Sequence, residues 1–142
     1  MITSEKGIDL IALHEGLRLE AYQDVKGVWT VGYGHTGDDV YAGLVIDGGE
    51  AERLLRSDLN AAETCVDEQV DVQITQEQFD ALVSLVFNIG CNAFRNSTLL
   101  KMLNLNNMEA AKAQFSKWNK SGGKVIQGLV NRRRDEAELF LA

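Results

Sequence analysis

A chain of 142 residues with 21 Asp and Glu against 14 Lys and Arg, a net charge of −7, lacks the basic excess by which a general nucleic-acid binder gathers phosphates. At 45% hydrophobic and 25% charged residues, it is expected to fold as one soluble globular domain with a real core. No apolar run is long enough for a membrane span, and the opening MITSEKGIDL has neither a basic leader nor a small-residue cleavage site, so no secretory signal is expected.

Residues 3–15 read as a helix, with Thr3 or Ser4 as cap, Ile8, Ile11 and Ala12 at helical spacing, and Gly16 as the stop. Residues 20–46 mix β-branched and aromatic residues with glycines. They predict short strands with tight turns at Lys26-Gly27 and Thr36-Gly37-Asp38. From about residue 47 onward everything reads as helix. Asp47 caps a helix whose apolar face is Leu54, Leu55, Leu59 and Ala62. Thr75 and Gln78 form a capping box, with Ile74 and Phe79 at the staple positions. The helix that follows is apolar nearly all round from Ala81 to its stop at Gly90, so it should be the buried central one. A helix around 107–120 puts Ala111, Phe115 and Trp118 on one face, with Trp118 in the core, and a last helix at about 129–141 packs Ala137, Phe140 and Leu141. One helix, a small sheet and a helical bundle make an α+β fold.

Cys65 and Cys91 have no metal-ligand spacing, and with two histidines in the chain no metal site is predicted. They read as two small apolar thiols in a reducing compartment, with a single disulfide as the alternative. Arg132, Arg133 and Arg134 run straight into Asp135, Glu136 and Glu138, the pattern of a salt-bridged helix face and not of a phosphate patch.

The chemistry concentrates in HEGLRLEAYQDVKGVWTVGYGHTG, residues 14–37. Glu15 follows the stripe of Ile8, Ile11 and Ala12 and falls at the C-terminal end of its helix. Burial and the helix dipole both disfavour a negative charge there, which suits a general acid that must hold a proton near neutral pH. Asp24 stands just before a turn, where backbone N–H groups and water can solvate it, and is expected to stay ionised. Two carboxylates in opposed environments are what glycosidic cleavage requires. The Thr30 hydroxyl, on the adjacent strand, could position a water. A glutamate at a helix end and an aspartate beside a turn are common features, so spacing alone does not decide for catalysis.

The full string from Glu15 to His35 closely resembles the catalytic segment of the phage-type lysozymes, glycoside hydrolase family 24. Its pattern Glu-Gly-x-Arg-Leu-x-x-Tyr-x-Asp-x-x-Gly-x-x-Thr-x-Gly-x-Gly-His is matched position by position. FDALVSLVFNIG, FRNSTLL and NRRRDEAELFL are similar to further family segments. The resemblance implies a lysozyme-like fold in which a sheet-bearing lobe, about 16–60, and a helical lobe, about 1–15 and 61–142, flank a cleft. It implies Glu15 as the acid, Asp24 as the second carboxylate and Thr30 as the water-positioning hydroxyl. His35 would pair structurally with Asp58, and Phe87 and Ser97 would line the sugar cleft. Arg132 would approach Glu15, although the pattern leaves open which of the three arginines does so. His14 reads as a surface residue, where many relatives carry a carboxylate.

The activity implied is that of an endolysin muramidase, cleaving the β-1,4 bond between N-acetylmuramic acid and N-acetylglucosamine with inversion. No metal or cofactor is implied. The partners would be peptidoglycan glycan strands, with no nucleic acid and no stable membrane insertion. A monomeric enzyme would stay in the host cytoplasm until a holin opens the way to the periplasm and wall. The acidic balance departs from basic members, so electrostatic capture by the anionic wall should be weak. A lytic transglycosylase and a silent wall-binding module are the rival readings. Asp24 and Thr30 argue against the first, and the complete trio argues against the second.

Overall fold

The computed structural model describes residues 1–142. The chain divides into two compact units, one of Ile11–Asn60 and one of Met1–Leu10 with Ala61–Ala142. Helix α1 (Glu5–Glu15) contributes to both, so the turn that carries Glu15 belongs with the sheet.

In the first unit, β1 (Arg18–Gln23), β2 (Trp29–Gly32) and β3 (His35–Thr36) form an antiparallel sheet in the order β1-β2-β3. Tyr22 pairs with Thr30, which pairs in turn with Thr36, and Val31 pairs with His35. Ala21, Val31, Val40 and Leu54 make the small core, with Trp29, Leu44 and Ile46 packed on it. Asp47 caps α2 (Gly48–Asp58) as expected, its side chain accepting from Glu50 N–H at 2.8 Å. The helix does not run on through Ala62. It breaks at Leu59, among the weak helix formers Ser57, Asp58 and Asn60, and α3 (Asn60–Gln69) begins after it.

The second unit is helical around α4 (Gln76–Ile89), which the Thr75–Gln78 capping box opens and Gly90 closes. Every residue from Gln78 to Val86 is buried, as the sequence predicts for a central helix. α5 (Cys91–Arg95), α6 (Thr98–Asn104) and α7 (Met108–Gln114) follow. Thr3 and Ser4 tie the chain's start to this bundle. The N–H and O–H of Thr3 both donate to Glu63 Oε2, each at 2.7 Å, and those of Ser4 donate to the Asp80 carboxylate. Gly7 permits this approach, because a Cβ there would lie 2.7 Å from Asp80 Cγ.

Three expectations for this unit are corrected. The helix expected over 107–120 ends at Gln114, tightens into a 3-10 turn at Phe115–Lys117 and yields to a hairpin of β4 (Lys120–Ser121) and β5 (Lys124–Val125). Gly122 and Gly123, at φ +58° and +80°, supply the left-handed pair that a two-residue hairpin turn needs. Trp118, at the end of the 3-10 turn, is half-buried instead of in the core. The last helix, α8 (Gln127–Phe140), buries Arg132, Arg133 and Glu136 beside Leu139 and Phe140, so its inner face is partly ionic, while Ala137 and Leu141 are only half-buried.

The cysteines are not free thiols: Cys65 on α3 and Cys91 on α5 form a disulfide. The fold brings their Cα atoms to 5.9 Å, within bridging range, which a separation of 26 residues in sequence could not announce. By the loop-entropy relation, closing this loop constrains the unfolded chain and adds about 3.5 kcal/mol to stability. Cys65→Ala with Cys91→Ala should therefore lower the guanidinium unfolding midpoint clearly. An unchanged midpoint would mean that the bridge constrains nothing.

Candidate active site

The loop between β1 and β2 is organised by Asp24. Its N–H donates to Val28 O and its carbonyl accepts from Gly27 N–H, both at 2.9 Å. Its carboxylate Oδ1 accepts from the N–H groups of Lys26 at 2.8 Å and Val28 at 2.9 Å, an Asx-type turn made compact by Gly27 at φ +79°. These bonds fix the carboxylate and leave Oδ2 without one. Thr30, buried in β2, donates its hydroxyl to Val28 O at 3.0 Å. Val28 thus receives Thr30 and Asp24 on one carbonyl while its N–H holds Asp24 Oδ1. The two side chains are coupled through a single main-chain residue.

Glu15 ends α1 and is half-buried, less enclosed than the stripe suggests, although Ile8 and Ile11 are fully packed. Gly16 stops the helix at φ +76°. The Glu15 carboxylate lies against the turn that joins β2 to β3: a Cβ placed on Gly34 would sit 3.6 Å from Glu15 Oε1. Gly34 adopts φ +89°, which glycine takes without strain. Glu15, Asp24 and Thr30 therefore share one unit, with Glu15 facing one end of the strand that carries Thr30.

His35 lies just past this turn. Its Nδ1 is 2.8 and 3.0 Å from the two Asp58 oxygens, and its Nε2 is 3.0 Å from both oxygens of Asp39. Burial alone would lower the affinity of His35 for its proton. The hydrogen bonds and charges of Asp58 and Asp39 override it and raise the pKa above the ordinary 6.5. The Asp39 carboxyl is held below the usual carboxylate value, chiefly by its bond to His35.

The remaining candidates are in the helical unit. Phe87 is half-buried on the last turn of α4. Ser97 caps α6, accepting from Leu100 N–H at 3.1 Å and donating to Phe94 O at 2.7 Å. Arg132 is buried and donates to Ser84 O at 3.1 Å and to Glu136 Oε2 at 3.3 Å. His14, expected on the surface, is half-buried.

The family model for phage lysozyme matches residues 12–136. The chain belongs to the phage lysozyme family. It is 50% identical to an endolysin of Bacillus phage PZA over 142 residues, 99% of this chain and 55% of the relative, so it spans about half the length of that protein. An endolysin of Acyrthosiphon pisum secondary endosymbiont phage 1 is 48% identical over 144 residues, covering 99% of this chain and 98% of the relative. Among solved structures, the muramidase domain of SpmX from Asticaccaulis excentricus superposes with a TM-score of 0.91 at 38% identity, covering 98% and 97% of the two chains. The fold is the α+β lysozyme fold.

Three features of this family member escaped the sequence reading. Asp39 carries no signal beyond its place four residues after His35. Ser84 looks like a stray polar residue in an apolar helix, yet it donates to Glu136. Arg133 makes the ion pair that a salt-bridged helix face implies, with its Nε 2.7 Å from Glu136 Oε1, but it does so buried, at 1% exposure, with an N–H donating to Asn88 Oδ1 at 2.9 Å. Burial pushes the Glu136 carboxyl up, opposed by Arg133, Ser84 and Arg132.

Proposed function

We propose that the protein is an endolysin muramidase hydrolysing the β-1,4 bond between N-acetylmuramic acid and N-acetylglucosamine in peptidoglycan. The observation that carries this is the Val28 relay. One main-chain residue holds both an anchored carboxylate with a free oxygen and a hydroxyl, on the strand whose end faces Glu15. In this reading Glu15 protonates the departing glycosidic oxygen while the bond to the anomeric carbon breaks. The free oxygen of Asp24 takes a proton from the attacking water, and a Thr30 lone pair orients that water. The Thr30 hydroxyl proton is committed to Val28, so its oxygen is left to accept. Water attack from the face opposite the leaving group inverts the anomeric centre.

Phe87 and Ser97 are assigned to sugar contacts. His35 and Asp58 hold the sheet to α2. The enzyme acts as a monomer, with a holin giving it access to the wall from the host cytoplasm. No helix is long and apolar enough to cross a membrane.

Mass spectrometry of digested sacculi tests the reaction. Muropeptides with reducing N-acetylmuramic acid ends are expected. Ends in the 1,6-anhydro form would replace hydrolysis with transglycosylation, in which no water attacks.

A further inference from the structure

His35 is gripped at both ring nitrogens by carboxylates from different segments. Asp58 comes from the last turn of α2, and Asp39 from the turn after β3. Ionised carboxylates only accept hydrogen bonds, so the geometry is satisfied in full only when both nitrogens carry protons. Beyond Asp39 lie Arg53 and Glu50 of α2, joined in an ion pair, and both act electrostatically on Asp39 or His35. On the other side of the ring's backbone is Gly34, against the Glu15 carboxylate, and Val31 of the Thr30 strand pairs with His35.

The grip on Nε2 is built in. Asp39 folds back onto His35 because residue 37 has no side chain: a Cβ at Gly37 would lie 3.0 Å from Asp39 Oδ1, at a φ of +138° that disfavours other residues.

We propose that Asp39 is a positioning residue for hydrolysis, which keeps His35 a doubly held imidazolium and thereby fixes the β2–β3 turn against Glu15. This rests on the reading of Glu15 as the acid. The sign follows from the ring's chemistry. A histidine whose folded pKa is raised keeps its clamp fully below the ordinary 6.5 and loses it as pH rises through the raised value. Above that point the neutral ring has one N–H for two carboxylates, and the turn is released from one of them.

The test follows the His35 ring by 1H–15N NMR titration and measures kcat and KM on soluble glycan oligomers across pH. Asp39→Asn keeps an acceptor but removes the charge. The His35 midpoint should fall by about half a unit, about threefold in proton affinity for an exposed partner. The alkaline limb of kcat should move down with it, with KM unchanged and kcat at pH 5.5 like that of the parent. Gly37→Ala should shift both in the same direction, and Asp39→Glu should restore them. An unmoved His35 midpoint or an unmoved kcat limb in Asp39→Asn overturns the proposal. If the parent protein hydrolyses glycan normally while the limb stays put, only the role of Asp39 falls. If the parent hydrolyses nothing at any pH, the muramidase reading falls and this role with it.

Discussion

Glu15→Gln is expected to lower kcat on peptidoglycan by about a thousandfold, the scale of a lost general acid, equivalent to about 4 kcal/mol of barrier. The glutamine keeps the shape of the side chain at the end of α1 but offers no acidic proton to the departing oxygen. Because Glu15 is only half-buried and Gly16 makes the helix stop, folding should be little affected. Turbidity loss of purified sacculi and release of reducing ends should collapse together, while binding to sacculi and the thermal unfolding midpoint remain near those of the parent. Undiminished lysis by the variant would remove Glu15 from the chemistry, and with it the orientation assigned to the site. If the parent bound sacculi and released no reducing ends, the protein would be a wall-binding module on a lysozyme fold.

The second large effect is on stability. Glu136 is fully buried on α8 between Arg132 and Arg133 and accepts the Ser84 hydroxyl from α4. Truncating one member of a buried ionic cluster leaves its partners' charges in a low-dielectric interior. Glu136→Ala therefore removes the buried carboxylate that both guanidinium groups face and should cost about 3–5 kcal/mol in urea unfolding, a large share of a typical domain's stability. Arg134→Ala is the matched control, since Arg134 is exposed with its nearest acid, Asp135, at 3.5 Å; it should change stability by less than about 0.5 kcal/mol. Equal effects from the two substitutions would mean that the buried cluster does not anchor α8 to α4.

What the sequence made legible depends on how local the cause is. The Asp24 turn, the Asp47 cap and the Thr75–Gln78 box are set by a few adjacent residues bonding their own backbone, and the structure reproduces them. The α+β order and the buried α4 follow from periodicity over longer windows. The misses come from distant partners. Arg132, Arg133 and Glu136 have the pattern of a salt-bridged helix face, and their burial depends on partners far along the chain, Ser84 and Asn88 on α4 and the carbonyl of Trp118. The disulfide likewise depends on segments the fold brings together. The β4–β5 hairpin is different: Gly122 and Gly123 are a local turn signal, in a stretch where everything reads as helix.

Of the candidate residues, Glu15, Asp24, Thr30, His35 and Asp58 gather in the sheet-bearing unit, while Phe87, Ser97 and Arg132 belong to the helical one. The coupling of Asp24 to Thr30 through Val28 and the approach of Glu15 to Gly34 are properties of the backbone path, which no spacing rule states.

In the proposed mechanism a water supported by Asp24 attacks directly, with Glu15 as the acid. The most direct measurement is 1H NMR of the anomeric proton at the new reducing end, recorded in the first minutes of glycan hydrolysis before mutarotation. Cleavage of the β-1,4 bond should release the α-anomer first, with the β-anomer growing in later. Initial release of the β-anomer would mean retention through a covalent intermediate, and would contradict the role given to Asp24.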